Sequence, residues 1–456
     1  MRISIQSLGC PKNFVDSEVI CGYLWEKNYT LTNEIENSDV AIINTCSFIQ
    51  PAVEESVDAI LRAVRLKEEG KLQYIIVAGC LSQRYKQQDL LQSLPEVDAF
   101  IGVDEISRIA EIIKQLKKRN TIFQVHSSPC FIYDEKSPRF LLTPRHYAYL
   151  KIAEGCNNGC TYCLIPSIKG RYRSRTIESV IAEAENLVSS YPLKEIILIA
   201  EDTTYYGTDL YGKPSLADLL QRLVQLVQEI EQTDQEKQGI CIRILYTHPA
   251  HYDDRLIETI AQNSMICPYL DIPLQHISDA VLKRMNRKVG QKEIFALIKK
   301  LRDRIPGLTL RTTFITGFPG ETDVDFQELY DFILEYRFEK IGVFPFYNET
   351  ECSASRLSRH VPEKIKKDRL DKLMKLQQKI ALEHQTAQIG MKMRILIDEV
   401  SGKNNKILVG RSCAEAPEID GNIFVSKGNH QDIGKWVDVK ITKAYPYHLE
   451  GEKICK

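Results

Sequence analysis

The segment Cys156-Asn-Asn-Gly-Cys160-Thr-Tyr-Cys163 places three thiols at a C-x3-C-x2-C spacing on one short loop. Thiolates are the usual ligands of iron–sulfur clusters, and a four-iron cube ordinarily takes four of them. Three on one loop leave one iron open to a small ligand. Two plainer readings stand beside this one: three buried cysteines packing as small apolar side chains, or a zinc site. Zinc usually takes four protein ligands, often as two C-x2-C pairs, and no partner pair follows nearby in the sequence. Three more cysteines, Cys10, Cys46 and Cys80, stand singly in Ser7-Leu-Gly-Cys-Pro-Lys-Asn13, Asn44-Thr-Cys-Ser47 and Ala78-Gly-Cys-Leu81. By spacing alone these three are weak evidence for anything.

The elements around them change that. Short apolar runs at Ile3–Leu8, Val40–Asn44, Tyr74–Ala78 and Ala99–Ile101 alternate with helical patterns at Phe14–Lys27, Val53–Glu69 and Tyr85–Leu94, and a last helix runs to Lys118. This rhythm predicts a parallel α/β sheet. Each of the first three strands runs almost directly into one of the three cysteines. Ligands of open parallel sheets gather beyond the carboxyl ends of the strands, so the three thiols are candidates for one shared site. A polar, proline-punctuated stretch over residues 121–145 reads as a linker after an N-terminal domain of residues 1–120. Six strand candidates follow, Ala148–Ile152, Glu195–Ala200, Ile242–Tyr246, Tyr269–Ile272, Leu308–Ile315 and Lys340–Phe344, with helical patterns such as Ser215–Glu231 and Gln291–Arg304 between them. Six repeats predict a partial barrel rather than a closed eight-stranded one, over residues 146–360. A helical connector over 361–388 leads to residues 389–456, where Met393–Val400, Lys406–Ser412, Asn422–Val425 and Trp436–Ala444 predict a small all-β barrel.

Bulk properties set limits on this. A chain of 456 residues exceeds what one core organises, consistent with several domains. Its formal net charge of −1 argues against gripping RNA over a broad basic surface. The N-terminus lacks a signal-peptide core and no apolar run is long enough to span a membrane, so a cytoplasmic protein without membrane contact is expected. In a reducing compartment the 13 cysteines are not a disulfide framework. Cys21, Cys130, Cys241, Cys267, Cys352, Cys413 and Cys455 show no grouping, and packing or surface roles are expected for them.

The C-x3-C-x2-C loop with an aromatic Tyr162 before its last cysteine resembles the radical-SAM superfamily. That resemblance implies a partial (βα)6 barrel and a cluster at Cys156, Cys160 and Cys163 whose open iron binds S-adenosylmethionine. Further strand-end segments match: Ile199-Ala-Glu-Asp-Thr-Thr-Tyr-Tyr-Gly207, Leu270-Asp-Ile-Pro-Leu-Gln-His276 and Arg311-Thr-Thr-Phe-Ile-Thr-Gly-Phe-Pro-Gly-Glu-Thr322. They make Tyr162, Glu201, Asp202, Thr203, Gln275 and Arg311 candidate contacts to the cofactor; the related family usually carries Gln where Glu201 stands. The contexts of Cys10, Cys46 and Cys80 are similar to the methylthiotransferases, in which three such cysteines hold a second four-iron cluster. This resemblance covers essentially the whole chain. It implies an N-terminal methylthiotransferase domain, a radical-SAM domain and a C-terminal TRAM domain, with two 4Fe-4S clusters and S-adenosylmethionine as cofactors. A reductant such as flavodoxin or ferredoxin is implied with them. The cofactors carry the difficult chemistry, and the protein positions them.

Family members modify either a tRNA adenosine or an aspartate of ribosomal protein uS12. Gly9-Cys-Pro-Lys-Asn13 and Gly410-Arg-Ser-Cys-Ala-Glu-Ala-Pro-Glu-Ile-Asp-Gly421 resemble the uS12 branch, although an aromatic residue is usual where Cys413 stands. The resemblance therefore implies methylthiolation of an aspartate β-carbon in uS12, free or on the small subunit, with nucleic acid contacted only indirectly. Glu415, Glu418 and Asp420 give the second segment the wrong sign for a phosphate backbone and the right one for a basic protein. The basic segment Lys169-Gly-Arg-Tyr-Arg-Ser-Arg175 suits RNA or the positioning of cofactor or substrate. A tRNA-modifying enzyme is the second reading, and a non-catalytic iron–sulfur sensor the third.

Overall fold

The computed structural model describes residues 1–117, 121–234, 237–401 and 407–454. Lys118, Lys406 and Cys455, which the sequence reading had touched, lie outside them. Three bodies of regular structure follow one another. The first is a six-stranded sheet in the order Thr30–Thr32, Arg2–Ser7, Val40–Thr45, Tyr74–Gly79, Ala99–Ile101, Ile122–Gln124, with every neighbour parallel. Its central strands bury both faces. Val40, Ile42 and Ile76 point into one core and Ala41, Ile43, Ile75 and Val77 into another. That is why they read as unbroken apolar runs. The two three-residue edge strands carry no such run, and periodicity could not find them.

The second sheet is also all parallel and six-stranded, in the order Lys340–Pro345, Thr309–Thr316, Ile266–Asp271, Cys241–Ile244, Glu195–Ile199, Tyr147–Lys151. Helices Ile177–Ser190, Leu216–Thr233, Asp254–Gln262, Gln291–Arg304 and Asp323–Tyr336 intervene, giving the partial barrel. The helix Glu363–Thr386 buries Lys366, Arg369, Leu373, Leu376, Gln377 and Ile380, a stripe at helical spacing. Its Arg369 guanidinium bridges Glu321 and Asp323, both at 2.7 Å.

The third body is a closed five-stranded barrel of Lys392–Ser401, Ile407–Arg411, Ile423–Ser426, His448–Lys453 and Trp436–Tyr445. The strand His448–Lys453 closes it by pairing parallel to Ile423–Ser426. Its polar sequence, HLEGEK, hid it from the sequence reading.

This small barrel docks through the loop following Arg411. Arg411 and Arg243 both donate to Glu195, at 2.7 and 2.6 Å, and all three side chains are at most 3% exposed. Glu415 pairs with Lys340 at 3.3 Å, and Asp420 accepts from the Tyr269 hydroxyl at 2.7 Å. The acidic loop is thus a plug closing the N-terminal edge of the parallel sheet. Glu415 and Asp420 are spent on internal partners, and of the three acids only Glu418 is exposed. This corrects the expectation that the loop presents its charges to a basic protein.

Asp398 of the small barrel accepts from Arg411 at 2.7 and 3.0 Å and meets the His146 imidazole at 2.8 Å. Burial raises its pKa, but the His146 hydrogen bond and the Arg411 charge outweigh burial and hold the carboxyl below its ordinary 3.8. A depressed carboxyl contributes stability that is present above its unfolded pKa and lost as pH falls through the folded one. Acidification through the carboxylate range is therefore expected to loosen this contact. Trp436, whose indole donates to the Gly239 carbonyl at 2.8 Å across the same junction, supplies the readout. In a Trp25→Phe background its emission should shift on acidification before the parallel sheets unfold. Simultaneous loss of both signals would count against the local effect.

Candidate active site between two cysteine trios

The first trio is set by three neighbouring strands in register. Ser7 pairs with Asn44, and Asn44 with Ala78. Cys10, Cys46 and Cys80 leave the sheet at the same level, a few residues beyond. Gly9 has φ +85°, and a β-carbon there would lie 2.4 Å from Cys46 Cβ and 2.8 Å from its Sγ, so only glycine fits. Pro11 opens the helix Pro11–Glu26 at its first turn, where the missing N–H costs nothing. Asn13 donates from Nδ2 to the carbonyls of Leu8 at 2.7 Å and Asn44 at 3.1 Å, clamping the Cys10 and Cys46 loops together. Thr45 Oγ1 donates to the Ala78 carbonyl at 2.6 Å and accepts from the Leu81 N–H at 3.2 Å, tying in the Cys80 loop. Ser56 holds both backbone polar groups of Cys46, at 3.1 and 2.7 Å. The Gly-Cys-Pro-x-Asn, Asn-Thr-Cys and Gly-Cys segments are therefore one mutually braced assembly. Burial, then the neighbouring Cys10 thiol, raises the pKa of Cys46.

The second trio follows Tyr147–Lys151. Gly155, at φ +78°, turns the chain where a β-carbon would meet the Arg171 carbonyl at 2.3 Å. The N–H groups of Asn158 and Ile165 point at the sulfurs of Cys156 and Cys163, at 3.3 and 3.5 Å, and Arg287 approaches Cys160 Sγ at 3.8 Å. Donors aimed at sulfur favour thiolate, the form that binds metal. Without a metal, burial pushes the Cys156 thiol up to about 12. The two domains meet beside the trios: Cys80 packs in one apolar cluster with Leu164, which follows Cys163, and with Ile168 and Cys352. Arg84, just beyond Cys80, bridges to Glu349 and Glu351 of the second domain at 2.6 and 2.9 Å.

Three ionic side chains from the two domains lie near the thiols, Lys12 near Cys10, Lys169 near Cys80 and Glu201 near Cys156. Lys169 bonds Asp16 and Glu154, both at 3.1 Å; burial raises the Cys80 thiol, and the nearby Lys169 charge offsets only part of that rise. Lys12 sits 3.7 Å above the Tyr246 ring, beside Cys10. Both oxygens of the buried Glu201 carboxyl have no hydrogen-bond partner among the described residues. Burial, then Glu154, raises this carboxyl to about 7 against the pull of Lys12, Lys169 and Lys151. A buried carboxyl without a partner costs free energy unless something else satisfies it.

The other sequence candidates fall into two groups. Tyr162 and Gln275 line a cavity of about 220 Å³ with Phe48, Ile315, Phe344 and Phe346. Phe48 lies two residues beyond Cys46, so this cavity also spans both domains. Asp202 accepts from Asn158 at 2.9 Å, Thr204 at 2.7 Å and the Tyr205 N–H at 3.2 Å, and meets His251 at 2.9 Å. Thr203 donates to the Leu245 and Tyr246 carbonyls, and Arg311 bridges to Asp271 at 2.8 Å. Sequence reasoning did not single out Glu154. Lys12 and Lys169 were visible only as members of quoted motifs.

The donor set suits cubes better than single ions. Each trio supplies three thiols, the donor number that leaves one iron of a cube open, whereas the groups drawn within 4.8 Å of one another among the described residues are Cys241, Cys267 and Cys413, and Asp202, His248 and His251. A four-iron cube binds its thiolates at separate corners and holds them wider apart.

Three family descriptions match in succession. Uncharacterized protein family UPF0004 covers residues 2–102, the radical SAM superfamily 150–333 and the TRAM domain 389–454. The chain is 44% identical over 455 residues to the ribosomal protein uS12 methylthiotransferase RimO of Heliobacterium modesticaldum, covering 100% of this chain and 95% of that protein. The protein of the same name from Desulforamulus reducens is 44% identical over 454 residues, 99% of each chain. Among solved structures, the radical S-adenosylmethionine methyltransferase TsrM from Kitasatospora setae superposes with a TM-score of 0.52 at 12% identity, over 75% of this chain and 72% of that one. The cobalamin-dependent S-adenosylmethionine radical enzyme OxsB gives 0.52 at 13% identity, over 84% and 62%. At such identities the likeness is one of fold.

Proposed function

This chain belongs to the family of ribosomal protein uS12 methylthiotransferases, which are radical-SAM enzymes, and on that premise we propose that it methylthiolates the β-carbon of one uS12 aspartate. Cys156, Cys160 and Cys163 hold the cluster that binds S-adenosylmethionine, and Cys10, Cys46 and Cys80 hold a second. The observation that carries this reading is that the two trios lie at one domain junction, where Cys80 packs against Leu164 next to Cys163 and one cavity is walled by Phe48, near Cys46, and Tyr162, next to Cys163. When bound, the cofactors supply a carbon-centred radical and the methylthio group, which an aspartate β-carbon needs because its C–H bonds, next to a carboxylate, are too weakly acidic for a base.

The protein's own residues prepare that junction. The Glu201 carboxyl would hold the amino group of S-adenosylmethionine, and such a cationic partner would return it to the carboxylate form. Lys12 and Lys169 place buried positive charge beside Cys10 and Cys80, offsetting the charge of bound thiolates. Tyr162 and Gln275, with Ile315 and Phe346, offer an apolar slot suited to a flat adenine ring. Asp202 fixes Asn158 and with it the loop bearing Cys156, a positioning role, as is that of Thr203 at its strand end and of Arg311 on Asp271. The reaction draws electrons from a small carrier such as flavodoxin or ferredoxin and takes place in the cytoplasm, on uS12 free or on the small subunit.

Mass spectrometry of uS12 and bulk tRNA from cells lacking the protein tests the assignment. One methylthio group should disappear from a single uS12 aspartate while tRNA nucleosides stay unchanged. Intact uS12 modification together with loss of a thiomethylated adenosine would move the substrate to tRNA.

A further inference from the structure

At the edge of the parallel sheet opposite the two trios, three other thiols converge from separate elements. Cys241 begins the strand Cys241–Ile244, Cys267 lies near the start of its neighbour Ile266–Asp271, and Cys413 comes from the plug of the C-terminal barrel. Their sulfurs all lie within 4.8 Å of one another. Cys241 and Cys267 are buried, while Cys413 is partly exposed and leaves a path from solvent. The Cys241 thiol reaches the Lys194 carbonyl at 3.4 Å. Hydrogen bonds from the Cys241 and Cys267 thiols, then the charges of Arg243 and Arg394, pull the Cys413 thiol down toward thiolate.

From this juxtaposition we propose a third metal site, in which Cys241, Cys267 and Cys413 bind a single soft d10 ion that fastens the C-terminal barrel to the radical-SAM sheet. Thiolate ligands select soft ions such as copper(I) and zinc. The spacing suits one ion rather than a cube. Three thiolates complete a trigonal copper(I) site, whereas zinc would take a fourth donor from solvent on the exposed Cys413 side. Three plain buried thiols are the simpler alternative. The thiols do pack among apolar neighbours such as Tyr269 and Trp436, but Arg243 and Arg394 also bring positive charge against Cys413, which plain packing thiols do not need. Arg243 Nη1 also donates to the Cys413 carbonyl at 2.9 Å, holding the loop so that its thiol faces the other two.

The test uses the iron-loaded full chain under anaerobic conditions, titrated separately with Zn²⁺ and with copper(I) against a competing chelator. The wild-type protein should retain one equivalent of one of these ions, and that ion should protect Cys413 from alkylation, read by peptide mass spectrometry. Retention of zinc alone or of copper(I) alone identifies the ion, and either supports the site. Cys413→Ser should retain it more than about 100-fold less tightly, since loss of an outer-shell partner alone costs 10–100-fold, while iron content stays unchanged. The wild-type protection measurement stands even if the variant folds poorly. Absence of a retained equivalent in both titrations, with Cys413 alkylated equally fast with and without either ion, overturns the proposal.

Discussion

Joint replacement of Cys156, Cys160 and Cys163 by Ala is expected to halve the iron of the reconstituted protein, from about eight to about four per chain, and to abolish S-adenosylmethionine cleavage. The same replacement of Cys10, Cys46 and Cys80 should also halve the iron but leave cleavage intact, with methylthio transfer lost. The two trios stand on separate sheets braced by separate hydrogen bonds, Asn13, Thr45 and Ser56 for one and Asn158, Ile165 and Arg287 for the other. Removing one set of thiols therefore leaves the other set's scaffold in place. Iron analysis, release of 5′-deoxyadenosine and mass spectrometry of uS12 separate the outcomes. Full transfer activity in the second variant would sink the two-cluster reading.

The second large effect is structural. Glu195→Gln removes the charge that two buried guanidinium groups share, those of Arg243 and Arg411. Breaking a buried ion pair from one side costs about 3–5 kcal/mol, because the remaining charges stay in place without compensation. Chemical denaturation should show a loss of that order, and limited proteolysis should release the C-terminal barrel first. Glu418→Lys, at the exposed position of the same loop, should stay within about 0.5 kcal/mol of wild type. Comparable losses from both would mean that the plug is not held by this network. By the same reasoning, a chain ending near Gln388 bares Tyr147, Tyr269, Cys241 and Cys267 and should aggregate.

Much was legible in the chain before any coordinates. Continuous apolar runs marked the buried parallel strands, because a strand covered on both faces has no polar alternation to hide it. The cysteines at the ends of three such runs, and the C-x3-C-x2-C loop at the end of another, followed from strand geometry and thiolate chemistry together. Gly9 and Asn13 were quoted as parts of a motif, and the structure supplies their reasons: a β-carbon collision with Cys46, and a clamp between two loops.

Tertiary structure alone decided what those pieces meet. A charged residue reads as surface unless its partner is known, since such groups are almost never fully buried unpaired. Glu415 and Asp420 were therefore expected outside, and their partners Lys340 and Tyr269 lie 75 and 151 residues away. Cys241, Cys267 and Cys413 looked ungrouped for the same reason: two adjacent strands and a distant loop converge only when the small barrel docks. Periodicity reports that a face is buried and is silent on what buries it. The packing of Cys80 against Leu164 at the domain junction, the unpartnered carboxyl of Glu201 and the third thiol cluster at the far edge of the sheet all belong to the packing of one element on another.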